Sequence, residues 1–488
     1  MLYRLFYIVA IIILSSSGLN ASVFTGNYFL SPDTITAPGI EKLDTVKNSN
    51  PVIVSEIVIL GNSITRKQVI LRELPFSLGD TLGTGTLSYN LIRARQNLQN
   101  SSLFNFVTIV PKIQDDHVIV TITVIERWYI WPIPVFEIAE TNFNTWFLTR
   151  DFRRINYGMF VNCENFRGRK EALRFKLQTG YTEQYGIQYA IPYLNKKQTL
   201  GLEATINYYR NREIVYKTIE NKRVFYADPE NYVRNEFYAR LIMSLRRGIY
   251  NTSFLQVKFT NASVEDTVTA LSDFYFPGNL TDTRFITLSY KFRRDRRDFK
   301  PYPLKGYYFD IEAVKIGSDI LSNSSDVIYF VGALKKFWKF NEKFYFAAAA
   351  KSKYSLTTHQ PYYLQRGLGY QGEQIRGFEY YVIDGQSWCM GRSNLKYQLI
   401  KPAVSNFNFA KNKKFSTFHY AFYLNLFADA GYVEDKLYFK QNPLVNELLY
   451  GYGIGLDFVT YYDQVFRIEY SINKLGERGF FINFTSPL

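Results

Sequence analysis

A chain of 488 residues that is 47% hydrophobic and 18% aromatic has far more buriable surface than a disordered polypeptide. Two cysteines, Cys163 and Cys389, and three histidines, His117, His359 and His419, exclude a disulfide scaffold and any Cys/His zinc module. The 58 Lys+Arg outnumber the 43 Asp+Glu, a formal charge of +15 whose location matters below.

Arg4 precedes an apolar run from Leu5 to Leu14, followed by Ser15, Ser16, Ser17 and Gly18 and closed by Leu19-Asn20-Ala21. The run is too short to span a bilayer, which takes about 20 residues, and Ala21 is the small residue that signal peptidase requires. Residues 1–21 are therefore expected to be a cleaved secretory signal. After it no window approaches about 18 uninterrupted apolar residues, so a mature chain that crosses a membrane crosses as strands. Residues 22–51 contain Ser, Thr, Asn and Pro with little period and read as a flexible leader.

A compact pattern follows. Val54 to Leu60 is a predicted strand ended by Gly61-Asn62, and Thr65 with Gln68 forms a capping box that opens a helix to about Leu74. Gly79-Asp80 is a turn. In the next helix Leu87, Leu91, Ala94 and Leu98 share one face. Phe104 to Val110 is a strand, Asp115-Asp116 a turn, and Val118, Val120, Ile122 and Val124 alternate along another strand. The predicted order within residues 52–130 is β-α-α-β-β, a small α+β domain whose helices cover one sheet face and leave an edge strand open.

From residue 131 to 488 the helical period gives way to alternation. Leu173, Phe175 and Leu177 alternate with Arg174, Lys176 and Gln178, and Ile286, Leu288, Tyr290 and Phe292 with Thr287, Ser289 and Lys291. Phe466, Ile468 and Tyr470 alternate with Arg467 and Glu469. One apolar face and one charged face on so many successive strands suit a wall between lipid and a wet lumen. Tyr208-Tyr209, Tyr307-Tyr308, Tyr362-Tyr363, Tyr380-Tyr381 and Tyr461-Tyr462 fit interfacial girdles. Counting runs gives about 16 strands at about 22 residues per strand and connection, an even number that closes a barrel. The expected fold is mainly β: a 16-stranded transmembrane antiparallel β-barrel behind one N-terminal α+β domain.

Residues 51 to 130 hold seven Lys/Arg and six Asp/Glu, so nearly all of the excess charge falls in the barrel segment. Solvated loops are its simplest home, and basic loops suit anionic lipopolysaccharide. The basic residues alternate with apolar ones instead of clustering on a helix, which argues against nucleic acid. No histidine can be placed beside a nucleophile, so no catalytic residue, metal or cofactor is assigned. Cys163 and Cys389, far apart in strand order, read as isolated thiols.

Ile57-Val58-Ile59-Leu60-Gly61-Asn62, the Phe76-Ser77-Leu78-Gly79-Asp80 turn and Leu98 to Phe104 resemble a polypeptide-transport-associated (POTRA) domain. The barrel resembles that of the BamA/TamA-type outer-membrane assembly proteins, whose relatives include the two-partner secretion transporters. Ile375-Arg376-Gly377-Phe378 is similar to that family's Val/Ile-Arg-Gly-Phe/Tyr tip on the long sixth extracellular loop. Phe427-Ala428-Asp429-Ala430-Gly431 is similar to its Phe-x-Asp-x-Gly on a late strand. Glu126-Arg127-Trp128-Tyr129 followed by Pro132 and Pro134 resembles the POTRA-to-barrel junction of Bacteroidota members. Glu477-x-Gly479 with Phe480, Ile482 and Phe484 resembles the C-terminal targeting signal, and the likeness covers about residues 52 to 488.

The resemblance implies an outer-membrane barrel with a periplasmic POTRA domain, acting on unfolded outer-membrane or secreted polypeptides and not as an enzyme. Periplasmic lipoproteins are implied as accessory partners, with lipopolysaccharide and outer-membrane lipid as surroundings. In the leading reading the POTRA edge strand takes a client by β-augmentation and a seam between the first and last barrel strands releases it. Gly476 and Gly479 near that seam weaken the last strand. The alternative, favoured by a single POTRA-like unit, is a dedicated secretion pore or an accessory subunit serving one partner. Strand parity puts Leu426 and Ala428 with Phe422 and Leu424 toward lipid and turns Asn425 and Asp429 into the lumen. Arg376, on a loop with Gly367, Gly369, Gly372 and Gly377, can fold back and bond Asp429 bidentately. The expected loop latch is therefore Arg376, Gly377, Phe378, Asp429 and Gly431. Lys396 stands where the family commonly has a lumenal Glu, which leaves Glu373 or Glu379 to supply a second acceptor.

Overall fold

The computed structural model describes residues 51–138, 155–272, 274–317, 326–370, 372–406, 417–460 and 464–483. The expected signal (1–21) and, apart from Pro51, the leader (22–51) lie outside the described residues, as do Tyr461-Tyr462 and Phe484.

The N-terminal domain comprises β1 (Val52–Leu60), α1 (Lys67–Leu71), β2 (Thr81–Leu82), α2 (Thr84–Gln99), β3 (Phe104–Gln114) and β4 (His117–Glu126). Its sheet order is β2-β1-β4-β3, with β1 parallel to β4 and β3 left as an edge. Leu87, Leu91, Ala94 and Leu98 of α2 pack on Val118, Val120, Ile122 and Val124 of β4 in one core, as the 3.6-residue period against the two-residue period requires. Gly61 has φ +85°, and a Cβ there would stand 2.1 Å from the Val124 carbonyl oxygen.

Two local expectations need correction. The two-residue β2, pairing Val52 with Leu82, adds a strand to the predicted order. The capping box of Thr65 and Gln68 does not form: Arg66 is the N-cap and makes no side-chain cap bond. Thr65 is held elsewhere. Its N–H donates to Glu126 Oε1 at 2.6 Å, and its hydroxyl lies 3.1 Å from the Tyr129 hydroxyl and accepts from Asn165 Nδ2 at 2.8 Å.

The remaining chain forms a 16-stranded sheet, antiparallel throughout. Its first strands are β5 (Ile130–Ile138), β6 (Ile155–Phe166), β7 (Glu171–Gly180), β8 (Thr182–Ile191) and β9 (Leu200–Asn211). A separate hairpin, β10 (Glu213–Ile219) and β11 (Lys222–Ala227), interrupts the series. The sheet resumes with β12 (Arg234–Arg247), β13 (Asn251–Val264), β14 (Asp282–Asp295), β15 (Gly306–Ile316), β16 (Val327–Lys339) and β17 (Phe344–Ser355). It ends with β18 (Ser387–Asn406), β19 (Thr417–Glu434), β20 (Leu449–Val459), β21 (Val465–Asn473) and β22 (Arg478–Asn483).

Outward side chains such as Leu177, Met243, Leu255, Leu334 and Leu426 are about half exposed, as a lipid-facing band should be. Alternation then turns Lys176, Lys258, Lys291, Lys335, Lys351 and Lys353 inward. Much of the basic excess therefore lines the lumen instead of solvated loops, partly offset by wall carboxylates: Lys291 Nζ lies 3.5 Å from both Asp310 and Glu312.

Among the described residues β5 pairs only with β6 and β22 only with β21. The Glu164 N–H donates to the Tyr129 carbonyl at 2.7 Å, so odd-numbered residues here bond toward β6 and even-numbered ones face the free edge. Pro132 and Pro134 are even-numbered, so that edge lacks two donors.

The N-terminal domain docks on the near ends of the barrel hairpins. The Arg66 N–H donates to the Gly168 carbonyl at 2.9 Å, Arg72 Nη2 to the Gly248 carbonyl at 2.8 Å, and Asn100 Nδ2 to the Asp298 carbonyl at 2.9 Å. Glu73, buried, accepts from Arg246 Nη1 at 2.7 Å and Nη2 at 2.6 Å.

Candidate functional site

The connection between β17 and β18, residues 356–386, enters the barrel from the end far from the N-terminal domain. Ile375 and Phe378 bury themselves with Leu368, Trp388 of β18, Val433 of β19 and Leu449 of β20. Gly377 has φ +95°, a left-handed conformation that favours glycine, and its carbonyl accepts from Asn473 Nδ2 at 2.8 Å. The wall is thinned to receive the loop. A Cβ at Gly451 would sit 1.9 Å from the Arg376 carbonyl oxygen, and one at Gly431 would sit 2.6 Å from Ile375 Cδ1.

Seated this way, Arg376 meets Asp429. Arg376 Nε donates to Oδ2 at 2.7 Å, Nη2 to Oδ1 at 2.5 Å, and the backbone N–H to Oδ2 at 3.2 Å. Nη1 donates to Asn394 Oδ1 at 2.8 Å and Glu469 Oε1 at 3.1 Å, and the guanidinium lies 3.9 Å over the Phe427 ring. The two side chains of the central pair are 5% and 0% exposed, so water does not screen them.

The expected second acceptors are not the ones used. Glu373 pairs with Lys351, and Glu379 accepts from the Gly377 N–H at 2.8 Å. Glu469 of β21 takes the role because Asp429 of β19 and Glu469 project inward on either side of a strand whose inward positions, Gly451, Gly453 and Gly455, carry no side chain. Lys396 is buried, with its ammonium 4.0 Å over the Tyr302 ring, and does not touch Arg376.

The network continues toward the N-terminal domain. Arg467 Nη1 donates to Glu469 Oε1 at 3.3 Å, and its Nη2 donates to Asp457 Oδ2 at 2.8 Å. The Tyr302 hydroxyl donates to the same Asp457 oxygen at 2.7 Å, and its ring centroid lies 4.9 Å from that of Tyr423, the two planes tilted by 36°. Tyr302 belongs to the β14–β15 turn, residues 296–305, whose Asp298 carbonyl bonds Asn100. A chain of charge-assisted contacts thus runs from the far loop through the lumen to the turn beneath the N-terminal domain.

Sequence reasoning placed Arg467 and Glu469 on a charged strand face but missed their partners, and it missed Asp457 and Tyr302. One readable signal was passed over: in Tyr450-Gly451-Tyr452-Gly453-Ile454-Gly455 the glycines alternate with outward apolar residues, the mark of a wall that another backbone approaches. The carboxylates of this network are all engaged: Asp429 by Arg376, Asp457 by Arg467 and the Tyr302 hydroxyl, and Glu469 by Arg376, Arg467 and the Asn483 amide at 2.9 Å. Cys163 and Cys389 are both free.

Comparison with known proteins gives a consistent picture. A family model described as the Omp85 superfamily domain matches residues 165–461, and a POTRA model, described as a surface antigen variable number repeat, matches residues 52–127. Among solved structures, CdiB from Escherichia coli is 11% identical with a TM-score of 0.51, covering 88% of this chain and 75% of that one. BamA from Haemophilus ducreyi lacking POTRA domains 1–3 is 16% identical with a TM-score of 0.48, covering 89% and 84%. CdiB from Acinetobacter baumannii is 14% identical with a TM-score of 0.46, covering 89% and 73%. At 11% identity the likeness to CdiB from Escherichia coli speaks to fold alone. A search of curated proteins gave no match.

Proposed function

The chain belongs to the Omp85 superfamily, and from that premise we propose that it takes unfolded client polypeptides on its periplasmic POTRA domain and releases them through the seam between β5 and β22. The family and the POTRA match support an assembly or secretion role at the outer membrane. The proposal adds the route.

The observation that carries it is the pairing pattern at the two ends of the sheet. The first and last strands share no ladder among the described residues, and Pro132 and Pro134 leave gaps in the donor row that would zip them together. A client strand cannot enter lipid with its backbone groups unpaired, so an available strand edge is the physical requirement for insertion. The POTRA edge strand β3, open on its outer side, supplies the matching platform for main-chain capture. The lumen is the less favoured route, because the Arg376 loop enters it from outside and the Tyr302 turn from the periplasmic side.

The test is a tether. With Cys163 and Cys389 replaced by Ser, Phe136→Cys and Phe480→Cys are oxidised to a disulfide, and client insertion or secretion is followed before and after reduction. Activity that vanishes in the folded, crosslinked protein and returns on reduction supports the seam. Undiminished activity of verified crosslinked protein refutes it.

One observation favours a second reading, a dedicated secretion pore or accessory subunit for one partner: a single POTRA match precedes the barrel match. Crosslinking from outer membranes separates the two readings. Many nascent barrel proteins captured on β3 support general assembly, whereas one exported protein, or an assembly lipoprotein alone, supports the dedicated role.

A further inference from the structure

A cavity of about 250 Å³ lies between the POTRA domain and the barrel, walled by Asn97 and Asn100 on one side and by Arg246, Phe254 and Arg293 on the other. Five cations face it, Lys170, Arg246, Arg293, Arg297 and Lys300, against two carboxylates, Glu73 and Asp295. Both carboxylates are already engaged. Arg246 holds Glu73 at 2.6 Å, and Arg297 holds Asp295 at 2.8 Å. Arg293 lies with its guanidinium 4.7 Å over the Phe254 ring. Neither it nor the Lys300 ammonium has a carboxylate at ion-pair distance among the described residues.

Burial, with Lys170 beside it, pushes the Lys300 ammonium down to about 8 against the opposing pull of Asp295. Like charges crowded around a desolvated cavity repel, and an anion placed among them relieves that repulsion.

We propose that this cavity binds a carboxylate of a client polypeptide, an acidic side chain or the C-terminus, as the client passes from the POTRA domain to the barrel. The ligand's source rests on the client-handling reading above; the site itself does not depend on the seam. A lipid headgroup is disfavoured by topology. Arg246, Phe254 and Arg293 lie on the inner face of the wall, opposite in parity to the outward Met243, Leu255 and Tyr290, so acyl chains are on the other side of the sheet. A bare inorganic anion would engage the cations alone, whereas a peptide carboxylate brings apolar chain to lie along Phe254 and Tyr250, which also line the cavity.

The test uses the full chain in detergent micelles and a short fluorescent peptide with Glu at alternate positions, compared with the same peptide carrying Gln. The Glu peptide should bind about tenfold more tightly at low salt, and the preference should shrink as pH rises through about 8, where Lys300 loses its proton. Arg293→Gln with Lys300→Gln should abolish the preference, Lys300→Arg should keep it, and Lys258→Gln with Lys335→Gln elsewhere in the lumen should leave it unchanged. Lys300→Gln alone, on a turn outside the wall, gives the same reading where the double variant fails to show heat-modifiable mobility. Equal affinity for the two peptides, or a preference lost in the lumenal control but not in the cavity variants, overturns the proposal. Inorganic phosphate competing at the same concentration as the Glu peptide overturns the peptide assignment. A Glu preference that persists in the tethered, insertion-dead barrel upholds this site whatever becomes of the seam.

Discussion

Arg376→Ala should weaken the barrel by about 3 kcal/mol. The substitution strips Asp429 of both side-chain bonds it receives from Arg376, leaving the backbone N–H at 3.2 Å. Breaking one side of a buried ion pair ordinarily costs about 3–5 kcal/mol. The lower end applies because two cations remain in reach: Arg392 Nε is 3.8 Å from Asp429, and Arg467 Nη1 is 3.3 Å from Glu469. Arg376→Lys keeps a charge but cannot reach Asp429, Asn394 and Glu469 at once, so it should recover less than half of the loss. Urea unfolding in micelles, followed by heat-modifiable mobility and tryptophan fluorescence, gives the stability of each variant. In a double-mutant cycle with Asp429→Asn, the coupling should be about 2 kcal/mol. Fully additive effects, or a loss for Arg376→Ala within about 0.5 kcal/mol, would refute the latch.

Gly451→Ala should act like a weaker Arg376→Ala, since its Cβ would meet the Arg376 carbonyl oxygen at 1.9 Å and push the loop out of its seat; unchanged protease resistance of the loop would count against this. Burial would raise the Glu73 carboxyl, but Lys170 and Arg246 outweigh it and hold it at about 2. Such a depressed acid stabilises docking fully above its ordinary value near 4.5 and loses that contribution as pH falls toward 2. Limited proteolysis across the POTRA–barrel junction should therefore show loosening below about pH 4.5, absent in Glu73→Gln; the same transition in both would sink the assignment. Arg246 makes the closer bridge, bonding Glu73 through two nitrogens at 2.7 and 2.6 Å while the Lys170 ammonium stands 3.8 Å away. Pro132→Ala with Pro134→Ala restores two edge donors, so spontaneous crosslinking between β5 and β22 should rise and client release fall. Unaltered crosslinking would show that other forces keep the seam open.

The strand pattern was readable because lipid enforces it: a side chain such as Leu177 or Leu426 has one acceptable face, so parity alone turns Asp429 inward. Arg376 was readable as its partner because a lumenal carboxylate needs a cation and the glycine-rich loop offered one. Glu469 was hidden by distance along the chain, since nothing local says that a residue 93 positions away becomes the second acceptor. Thr65 misled because a capping signature is a local argument, and tertiary contacts from Glu126, Tyr129 and Asn165 outbid it. The 296–305 turn looked like an ordinary hairpin end, and only the three-dimensional placement of Tyr302 against Asp457, 155 residues on, reveals its reach into the lumen.

Sequence separation gives the Arg376 loop a late place in folding. Its anchors lie far along the chain: Asp429 follows Arg376 by 53 residues and Glu469 by 93. Loop closure, a contact of high sequence separation, therefore waits until the C-terminal hairpins stand in the wall. Seating of the loop then marks completion of the wall, since it cannot engage β21 until the penultimate strand is in place. A truncated copy lacking β21 and β22 would keep most of its lipid-facing surface yet leave Arg376 half-partnered, a charged and protease-accessible flag on an unfinished barrel.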